Sequence, residues 1–341
     1  MRALAVTRRI LQQLRGDRRT LALILMAPVL ILSLVWMIFD GDPYPTRVAL
    51  VNAPASLQQS LEDQGVEVLV VDATEADLLI RADEVDAVLT FVGNSLHVLL
   101  EGSKPIARQS VAIALQAAMA RLFAVPDSMK PKFEFLHGDA DMAAFDDFGP
   151  VLLGLIVFFF TFLISGVSFV RERTTGTLEK MMATPLHRWE LVVGYVLAFS
   201  VVMTVQVVLA TLVSVFLLDM MLIGSFAWLV VITLLLAAAA LTLGMMLSAA
   251  ARTEFQMIQF IPVVIIPQVF FSGLFPLETI DPWLRAIGLV FPLTYGAEAM
   301  REVMIRGGGW TDIWPNLMVL AGFSLAFAII NILALKKYRT L

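Results

Sequence analysis

Six uncharged apolar runs, separated by charged or polar segments, dominate the pattern of this chain. They cover residues 21–39, 148–170, 191–218, 225–251, 257–275 and 313–335. Each run is long enough to cross a hydrocarbon core of about 30 Å as a helix. The first run is too long for the apolar part of a signal peptide, and no small-residue cleavage motif follows it. The pattern therefore predicts six transmembrane helices, with the first one retained.

A long polar region separates the first run from the second. Its periodicity predicts strands at 46–52, 66–71, 85–92 and 95–100 and helices at 55–64, 73–82 and 105–123. The Gly93–Asn94 pair predicts the turn of a hairpin between the last two strands. Residues 40–147 are thus expected to form an α/β domain of about 100 residues. The region contains 7 Lys/Arg against 18 Asp/Glu, which a solvated acidic surface explains.

Composition supports a membrane protein and excludes several kinds of active site. Of the 341 residues, 59% are hydrophobic and 16% are charged, whereas soluble domains carry about 25% charged residues. The chain has no cysteine, which excludes disulfides, thiol nucleophiles and thiolate metal ligands. His97, His137 and His187 lack the spacing of metal ligands. No catalytic residue and no metal site is predicted.

Residues 1–20 form a basic segment with helical periodicity. Ala3, Val6, Ile10 and Leu14 fall on one helical face, and six arginines supply positive charge. Such an amphipathic helix is typical of an interface with anionic lipid. A basic tail that only directs membrane insertion is the alternative.

The distribution of Lys and Arg predicts how the chain is oriented in the membrane. One side comprises residues 1–20, 171–190, 252–256 and 336–341, and the other side comprises residues 40–147 and 276–312. The first side holds 14 Lys/Arg in short segments, whereas the second holds 10 over a much longer stretch. The positive-inside rule places the first side, with both termini, in the cytoplasm and the acidic region outside it.

The apolar runs lack the groups that ion-driven transport requires. Ionisable side chains at membrane depth mark proton relays and voltage sensors, and none of the six runs has one in its interior. The sequence also lacks the G-x-x-x-x-G-K-[ST] phosphate-binding loop. A chain of this kind that moved a solute would take its energy from a partner.

The charged segment 171–190 is the candidate contact with that partner. It joins the second and third apolar runs, so both of its ends reach the membrane. Thr175–Gly176 predicts a helix break, and Thr177 can cap a short helix over residues 178–183. An ordinary cytoplasmic loop remains the alternative.

Two segments carry a resemblance to a known family. Residues 171–195, RERTTGTLEKMMATPLHRWELVVGY, resemble the R-E-[RK]-x-x-G-T-[LM]-E-x-[LM]-x-x-[ST]-P segment of type-2 ABC exporter permeases. Residues 270–303, FFSGLFPLETIDPWLRAIGLVFPLTYGAEAMREV, are similar to that family's segment between the fifth and sixth spans. The order of the spans and the large domain after the first span also agree, so the resemblance covers nearly the whole chain.

The resemblance implies that segment 171–190 couples transport to ATP. In these permeases the matching residues form an elbow and a coupling helix that dock on an ATP-binding subunit. In this chain they are Glu172, Arg173, Gly176, Thr177, Leu178 and Glu179. Glu172 and Arg173 are candidates for an ion pair across that interface.

The resemblance also implies a substrate pathway between two permease copies, lined by the second and fifth spans. The matching positions are Phe158, Phe159, Phe160, Phe162, Phe260, Gln268, Phe270 and Phe271. Four aromatics within five residues cannot share one helical face, so part of this set must face lipid.

Residues 276–312 correspond to a family segment that dips back into the outer leaflet as short helices. Pro282 and Pro292 forbid one continuous helix here. Glu298 and Arg301 are three residues apart, so on a helix they would share a face and could pair.

The sequence thus predicts a six-helix membrane protein with an extracytoplasmic α/β domain between helices 1 and 2. The family implies a permease subunit of a bacterial inner-membrane exporter, which moves a hydrophobic or amphiphilic substrate through the bilayer. The implied partners are two ATP-binding subunits, which carry the ATP and Mg, and a second permease copy or a homologous permease. No cofactor is expected in this chain, and no nucleic-acid partner. A membrane-anchored sensor that uses the external domain, and a permease of the same class that exports glycan or lipid, are the alternatives.

Overall fold

The computed structural model describes residues 2–39, 46–82, 84–92, 95–101, 105–122, 144–184, 186–275 and 281–334. In chain order the elements are α1 (Arg2–Gly16), α2 (Arg18–Phe39), β1 (Arg47–Val51), α3 (Ala55–Glu62), β2 (Glu67–Val70), α4 (Ala73–Arg81), β3 (Ala87–Val92), β4 (Ser95–Leu100), α5 (Pro105–Leu122), α6 (Ala144–Thr174), α7 (Thr177–Met182), α8 (Arg188–Leu212), α9 (Phe226–Ser248), α10 (Glu254–Val269), α11 (Pro282–Ile287), α12 (Pro292–Met304) and α13 (Trp310–Ala334). Two units can be distinguished. The larger comprises Met1–Asp40 with Phe135–Leu341, and the smaller comprises Gly41–Glu134.

The smaller unit is a four-stranded sheet with helices on both faces. The strand order is β2-β1-β3-β4, with β1 parallel to both neighbours and β3 antiparallel to β4. Because side chains alternate along a strand, Leu50 and Leu89 pack towards α3 and α5 on one face, whereas Ala49 and Val88 pack towards α4 on the other. The predicted turn at Gly93–Asn94 lies outside the described residues.

Among the described residues, six helices of the larger unit are long and apolar enough to cross a membrane. They are Leu21–Ile38 in α2, Phe148–Thr174 in α6, Arg188–Leu217 in and beyond α8, Phe226–Ser248 in α9, Glu254–Leu274 in and beyond α10, and Trp310–Ala334 in α13. This confirms the six spans predicted from the apolar runs. Helix α6 continues through Arg171 and Arg173 to its end, because cations are favourable in the last turn of a helix.

Helices α6 and α9 form the centre of the larger unit. In each of them 56% of the span is buried, against 17% in α2 and α13 and 22% in α10. Gly244 on α9 permits their close approach, because a Cβ there would overlap Ser165 Oγ and lie 2.5 Å from the carbonyl oxygen of Phe162. Small residues at such contacts let membrane helices pack backbone to backbone. Lipid or another chain can cover the surfaces that α2, α10 and α13 leave exposed.

Two spans end in a wide π-helical turn, Val213–Leu217 after α8 and Phe270–Leu274 after α10. Gly273 in the second turn has φ 83°, a left-handed conformation that glycine adopts without steric cost. Carbonyl groups at such a helix end need donors from elsewhere. Pro282 and Pro292 then occupy the first positions of α11 and α12, where a missing N–H is tolerated.

Candidate functional site

The end of α6 and the short helix α7 form an elbow, defined here as residues 171–182. Thr175 and Gly176 turn the chain between the two helices. Gly176 has φ 70°, so the turn favours glycine over any residue with a Cβ. The hydroxyl of Thr175 donates to the carbonyl oxygen of Arg171 at 2.8 Å, in addition to the backbone N–H of Thr175, which donates to the same oxygen at 3.0 Å.

The apolar side of α7 packs against the chain's own helices. Leu178 is 1% exposed and belongs to what we call the elbow cluster. The buried members of this cluster are Val6, Ile10, Phe169, Leu178, Leu191, Val192, Tyr195, Ala198, Phe199, Met203, Leu241 and Met245. Fully burying a leucine side chain contributes about 1.5–3 kcal/mol. Helix α7 is therefore bound through this cluster to α1, α6, α8 and α9.

Helix α1 lies directly against α8. A Cβ at Gly194 would be 2.7 Å from Val6 Cβ and 2.9 Å from the carbonyl oxygen of Ala3, so only glycine allows this spacing. The hydroxyl of Thr7 donates to the carbonyl oxygen of Gly194 at 3.1 Å. The apolar face that the sequence assigned to the lipid interface thus packs mainly on protein, with Val6 and Ile10 buried in the elbow cluster.

Glu172 connects the elbow to α1. Its side chain is only 7% exposed, and its Oε2 lies 3.3 Å from Nη2 of Arg9. The other terminal nitrogen of Arg9, Nη1, lies 2.7 Å from Sδ of Met181 on α7. One arginine of α1 therefore contacts both arms of the elbow. A buried carboxylate depends on such a partner, because an unpaired charge is costly away from water.

Arg171 and Arg173 connect the elbow to the spans α9 and α10. The guanidinium of Arg173 donates to the carbonyl oxygens of Ser248 at 3.0 Å and Ala249 at 3.3 Å, and also to that of Ala251. These carbonyl groups lie at and just after the end of α9, where carbonyl groups lack partners within the helix and a positive charge also offsets the helix dipole. Nε of Arg171 lies 3.4 Å from Oε1 of Glu254, the first residue of α10.

The structure brings the predicted docking residues together, and several of them face inwards. Glu172, Arg173 and Leu178 contact the chain's own helices, so the pair suggested for an interface with a partner is engaged within this chain. Gly176 makes the turn and Thr177 is half-buried, while for Glu179 the structure describes only the helical backbone. Sequence reasoning missed the role of Arg9, whose only signal was its place in a basic amphipathic segment.

Helix α12 supplies donors to the wide turn after α10. Thr294 donates its hydroxyl to the carbonyl oxygens of Phe271 and Gly288, both at 3.1 Å. Nη2 of Arg301 donates to the carbonyl oxygen of Gly273 at 2.5 Å. The loose end of the fifth span is therefore fastened to the helix that follows it. Arg301 thus contacts the turn after α10, and its suggested pairing with Glu298 stays a prediction.

Two further side chains complete this junction. The amide of Gln268 is buried, and its Oε1 accepts from the backbone N–H of Leu293 at 3.3 Å. Tyr295 donates its hydroxyl to the carbonyl oxygen of Leu289 at 3.0 Å. Partial burial, and secondly the negative charge of Glu298, raise the pKa of Tyr295, whose hydroxyl is a donor at neutral pH even without this shift.

Replacing Thr294 with valine is expected to loosen this junction. The shape is nearly kept while the donor to Phe271 and Gly288 is lost, and buried acceptors left unpaired cost about 1–3 kcal/mol. Thermal unfolding in detergent should show a lower midpoint than for Thr204→Val, a matched change on α8 whose exposed hydroxyl bonds only within its own helix, at Ser200. Equal midpoints for the two variants would argue against the junction.

The predicted pathway residues separate into covered and accessible groups. Phe158 and Phe162 are 0% exposed and stack with their ring centroids 6.5 Å apart, and Gln268 and Phe271 are also buried. In this conformation these four do not line a surface shared with a second copy. The half-buried or exposed members are Phe159, Phe160, Phe260 and Phe270.

Among the described residues there is no group of three or more His, Cys, Asp or Glu that could hold a metal ion. His187 lies beside Glu190, with Nδ1 3.3 Å from Oε2, and His97 lies on β4. His137 is outside the described residues.

Comparison with known proteins places this architecture in a family. Residues 18–333 match the model of the ABC-2 family transporter protein. The probable multidrug ABC transporter permease YbhR of Escherichia coli K12 is 22% identical over 289 residues, which are 81% of this chain and 76% of YbhR. The inner membrane transport permease YhhJ of the same strain is 24% identical over 177 residues, or 51% of this chain and 47% of YhhJ.

A eukaryotic relative matches as well. ABC transporter G family member 20 of Dictyostelium discoideum is 27% identical over 205 residues, which are 59% of this chain. The match spans only 28% of that much longer protein.

Proposed function

The chain belongs to the ABC-2 family of transporter proteins, and we propose that it is the permease subunit of an exporter driven by a separate ATP-binding subunit. Members of this family are the membrane components of ABC transporters, and their ATPase is a separate subunit. The observation that supports coupling through this chain is the elbow. Leu178 packs the short helix α7 into the elbow cluster, while Glu172 and Arg173, at the end of α6, bind α1 and the carbonyl groups that end α9.

The elbow can pass a displacement of its surface on to the spans. The buried side of α7 belongs to the elbow cluster, which also contains residues of α1, α6 and α8, so we expect a push on its exposed side to move these helices together. The exposed residues on and just after α7 are Lys180, Ala183 and Thr184. We propose that they contact the ATP-binding subunit together with Glu179. A partner can shift the permease between two states only if it binds them with different affinity, which ATP-dependent closure of that subunit would supply.

The proposed orientation follows from charge. Both termini and the elbow are placed in the cytoplasm and the smaller unit outside it, because the segments on the elbow side are richer in Lys and Arg. We place the chain in a bacterial inner membrane, where two copies, or this chain and a homologous permease, would bind two ATP-binding subunits. The accessible aromatics Phe159, Phe260 and Phe270 would then lie near the surface between the copies.

The substrate proposed is hydrophobic or amphiphilic. The described spans offer no ionisable group in their interior, and apolar and aromatic side chains dominate the accessible pathway positions. The name of YbhR refers to multidrug transport, which agrees with this class. A permease of the same class that exports glycan or lipid is the alternative, and transport assays across compound classes would distinguish the two.

A sensor role for the smaller unit is the second candidate. A cavity of about 380 Å³ lies beside α4, with Asp77, Thr90 and His97 among its lining residues. This volume falls in the range of small-molecule sites, about 300–1,000 Å³. Ligand binding to the purified chain without any ATPase partner would favour this role.

Co-purification and vesicle transport test the main proposal. The full chain, expressed with the ATP-binding subunit from a neighbouring reading frame, should form a stable complex whose ATPase is stimulated by hydrophobic compounds. Inverted vesicles should accumulate such a compound only with hydrolysable ATP. If the complex hydrolyses ATP but vesicles that contain it accumulate none of the drugs, lipids or glycans tested, export is not the function.

Reversing the exposed charge on α7 is expected to uncouple transport. Lys180→Glu should lower ATP-driven transport by about tenfold. The variant reverses a charge on the proposed docking surface and so disturbs the electrostatic complementarity of the interface. The same loss is expected for Glu179→Ala. The unfolding midpoint should not change, and the exposed Arg252→Glu, which lies outside α7, should transport normally. Full transport by both α7 variants would exclude this docking surface.

A further inference from the structure

A cavity of about 450 Å³ lies where α10 ends, between its wide turn, α11 and α12. Phe271, Phe275 and Leu289 form its apolar wall. The volume is that of a small-molecule site, about 300–1,000 Å³. The junction described above fixes this wall, because Thr294 and Arg301 hold the carbonyl groups of the turn. Hydrogen bonds therefore hold the backbone of the turn that carries part of this wall.

The lining of the cavity also carries positive charge. Among its described lining residues are three arginines, Arg285, Arg301 and Arg306, and one acid, Glu298. The arginines come from α11, from α12 and from the residues just after α12. Nη1 of Arg306 is fixed by Oε2 of Glu302 at 2.8 Å, and Arg301 by the carbonyl oxygen of Gly273. With the paired Glu302 counted, the described charges at the cavity give an excess of one positive charge, and two of the three guanidinium groups are held in defined positions.

We propose that this cavity binds the acidic headgroup of an amphiphile. A planar guanidinium matches a carboxylate or a phosphate with paired N–H donors, and the apolar wall would receive the first part of the attached chain. Trp283 on α11 is exposed, and tryptophan is a side chain expected at the level of lipid headgroups. The binding site rests on the geometry of the cavity, and only its placement in the outer leaflet rests on the proposed function.

The acid has two sources, an anionic lipid of the membrane and a free acid such as a fatty acid. Binding would be measured on the full chain, purified without an ATPase partner in a neutral detergent, with laurate against methyl laurate and lysophosphatidylglycerol against lysophosphatidylcholine. At least one acid should bind about tenfold more tightly than its uncharged or zwitterionic counterpart, as charge-assisted hydrogen bonds predict. Selectivity for laurate alone would identify free acids as the ligands, and selectivity for the lysolipid alone would identify the membrane lipid.

Variants locate the binding site. Arg285→Gln with Arg306→Gln should weaken binding of the acid about tenfold or more, whereas Arg252→Gln should not. A second readout leaves the arginines in place. Because the chain has no cysteine, a single Leu289→Cys can be labelled with a maleimide, and the acid should slow this labelling while its ester should not. If neither acid is preferred, or if the arginine variants bind normally and labelling is unchanged, the proposal is overturned. Because no ATP is used, this outcome is distinct from a failure of transport.

Discussion

Alanine in place of Gly244 is expected to prevent α6 and α9 from packing as they do here. The added Cβ would overlap the hydroxyl of Ser165 and lie 2.5 Å from the carbonyl oxygen of Phe162. A hydroxyl can rotate away, but a carbonyl within α6 cannot, so the two helices must separate. Overpacking costs about 1–3 kcal/mol and occasionally more. Because this pair is the most buried in the larger unit, the cost should lie at the upper end.

The matched control is Gly322→Ala on α13. A Cβ at Gly322 meets no atom within 4 Å, and alanine is favoured over glycine inside a helix by about 0.5–1 kcal/mol. The yield of monodisperse protein and the unfolding midpoint in detergent should fall for Gly244→Ala and stay level or rise for Gly322→Ala. If the two variants behave alike, Gly244 does not set the spacing of α6 and α9.

Replacing Arg9 with glutamine is expected to destabilise the elbow by about 3 kcal/mol, the cost of leaving a buried charge without its partner. The side chain of Glu172 is 7% exposed, whereas that of Arg9 is 37% exposed. The pair is therefore asymmetric. Glu172→Gln leaves an arginine that water can still reach, so it should cost less than Arg9→Gln.

A double-mutant cycle tests this asymmetry directly. Arg9→Gln with Glu172→Gln removes both charges and keeps two side chains able to form a hydrogen bond, so most of the lost stability should return. Arg8→Gln, an exposed neighbour on α1, serves as the control and should be neutral. Purely additive losses in the double variant would mean that the two residues act independently. Transport by the double variant then reports whether the charges themselves are needed for coupling.

The spans were predictable because a membrane requires long uncharged runs, and run length alone locates them. Their ends were less predictable. Helix α6 extends to Thr174 because charged residues can continue a helix once it leaves the bilayer. Likewise, the end of the fifth span depends on donors from Thr294 and Arg301, which come from a later segment of the chain.

The motif in segment 171–190 predicted where the candidate coupling site lies, but it did not predict which residues its side chains contact. Glu172 pairs with a residue 163 positions earlier in the chain, and Arg173 bonds carbonyl groups more than 70 positions later. Nothing in the local sequence specifies such partners, because tertiary packing brings them together. The same holds for Phe158 and Phe162, since periodicity cannot tell a lipid-facing ring from one covered by a neighbouring span.

The close packing of α6 with α9 has a consequence for the assembly of the chain during synthesis. These helices are not consecutive, because α8 lies between them in sequence. A nascent chain that has not yet reached Phe226 therefore keeps the small-residue face of α6, with Ser165 and Gly166, against lipid or the insertion machinery. The core can close only when α9 arrives. The order in which the ribosome delivers the helices thus makes this packing a late step, during which the incomplete core is exposed to misassembly.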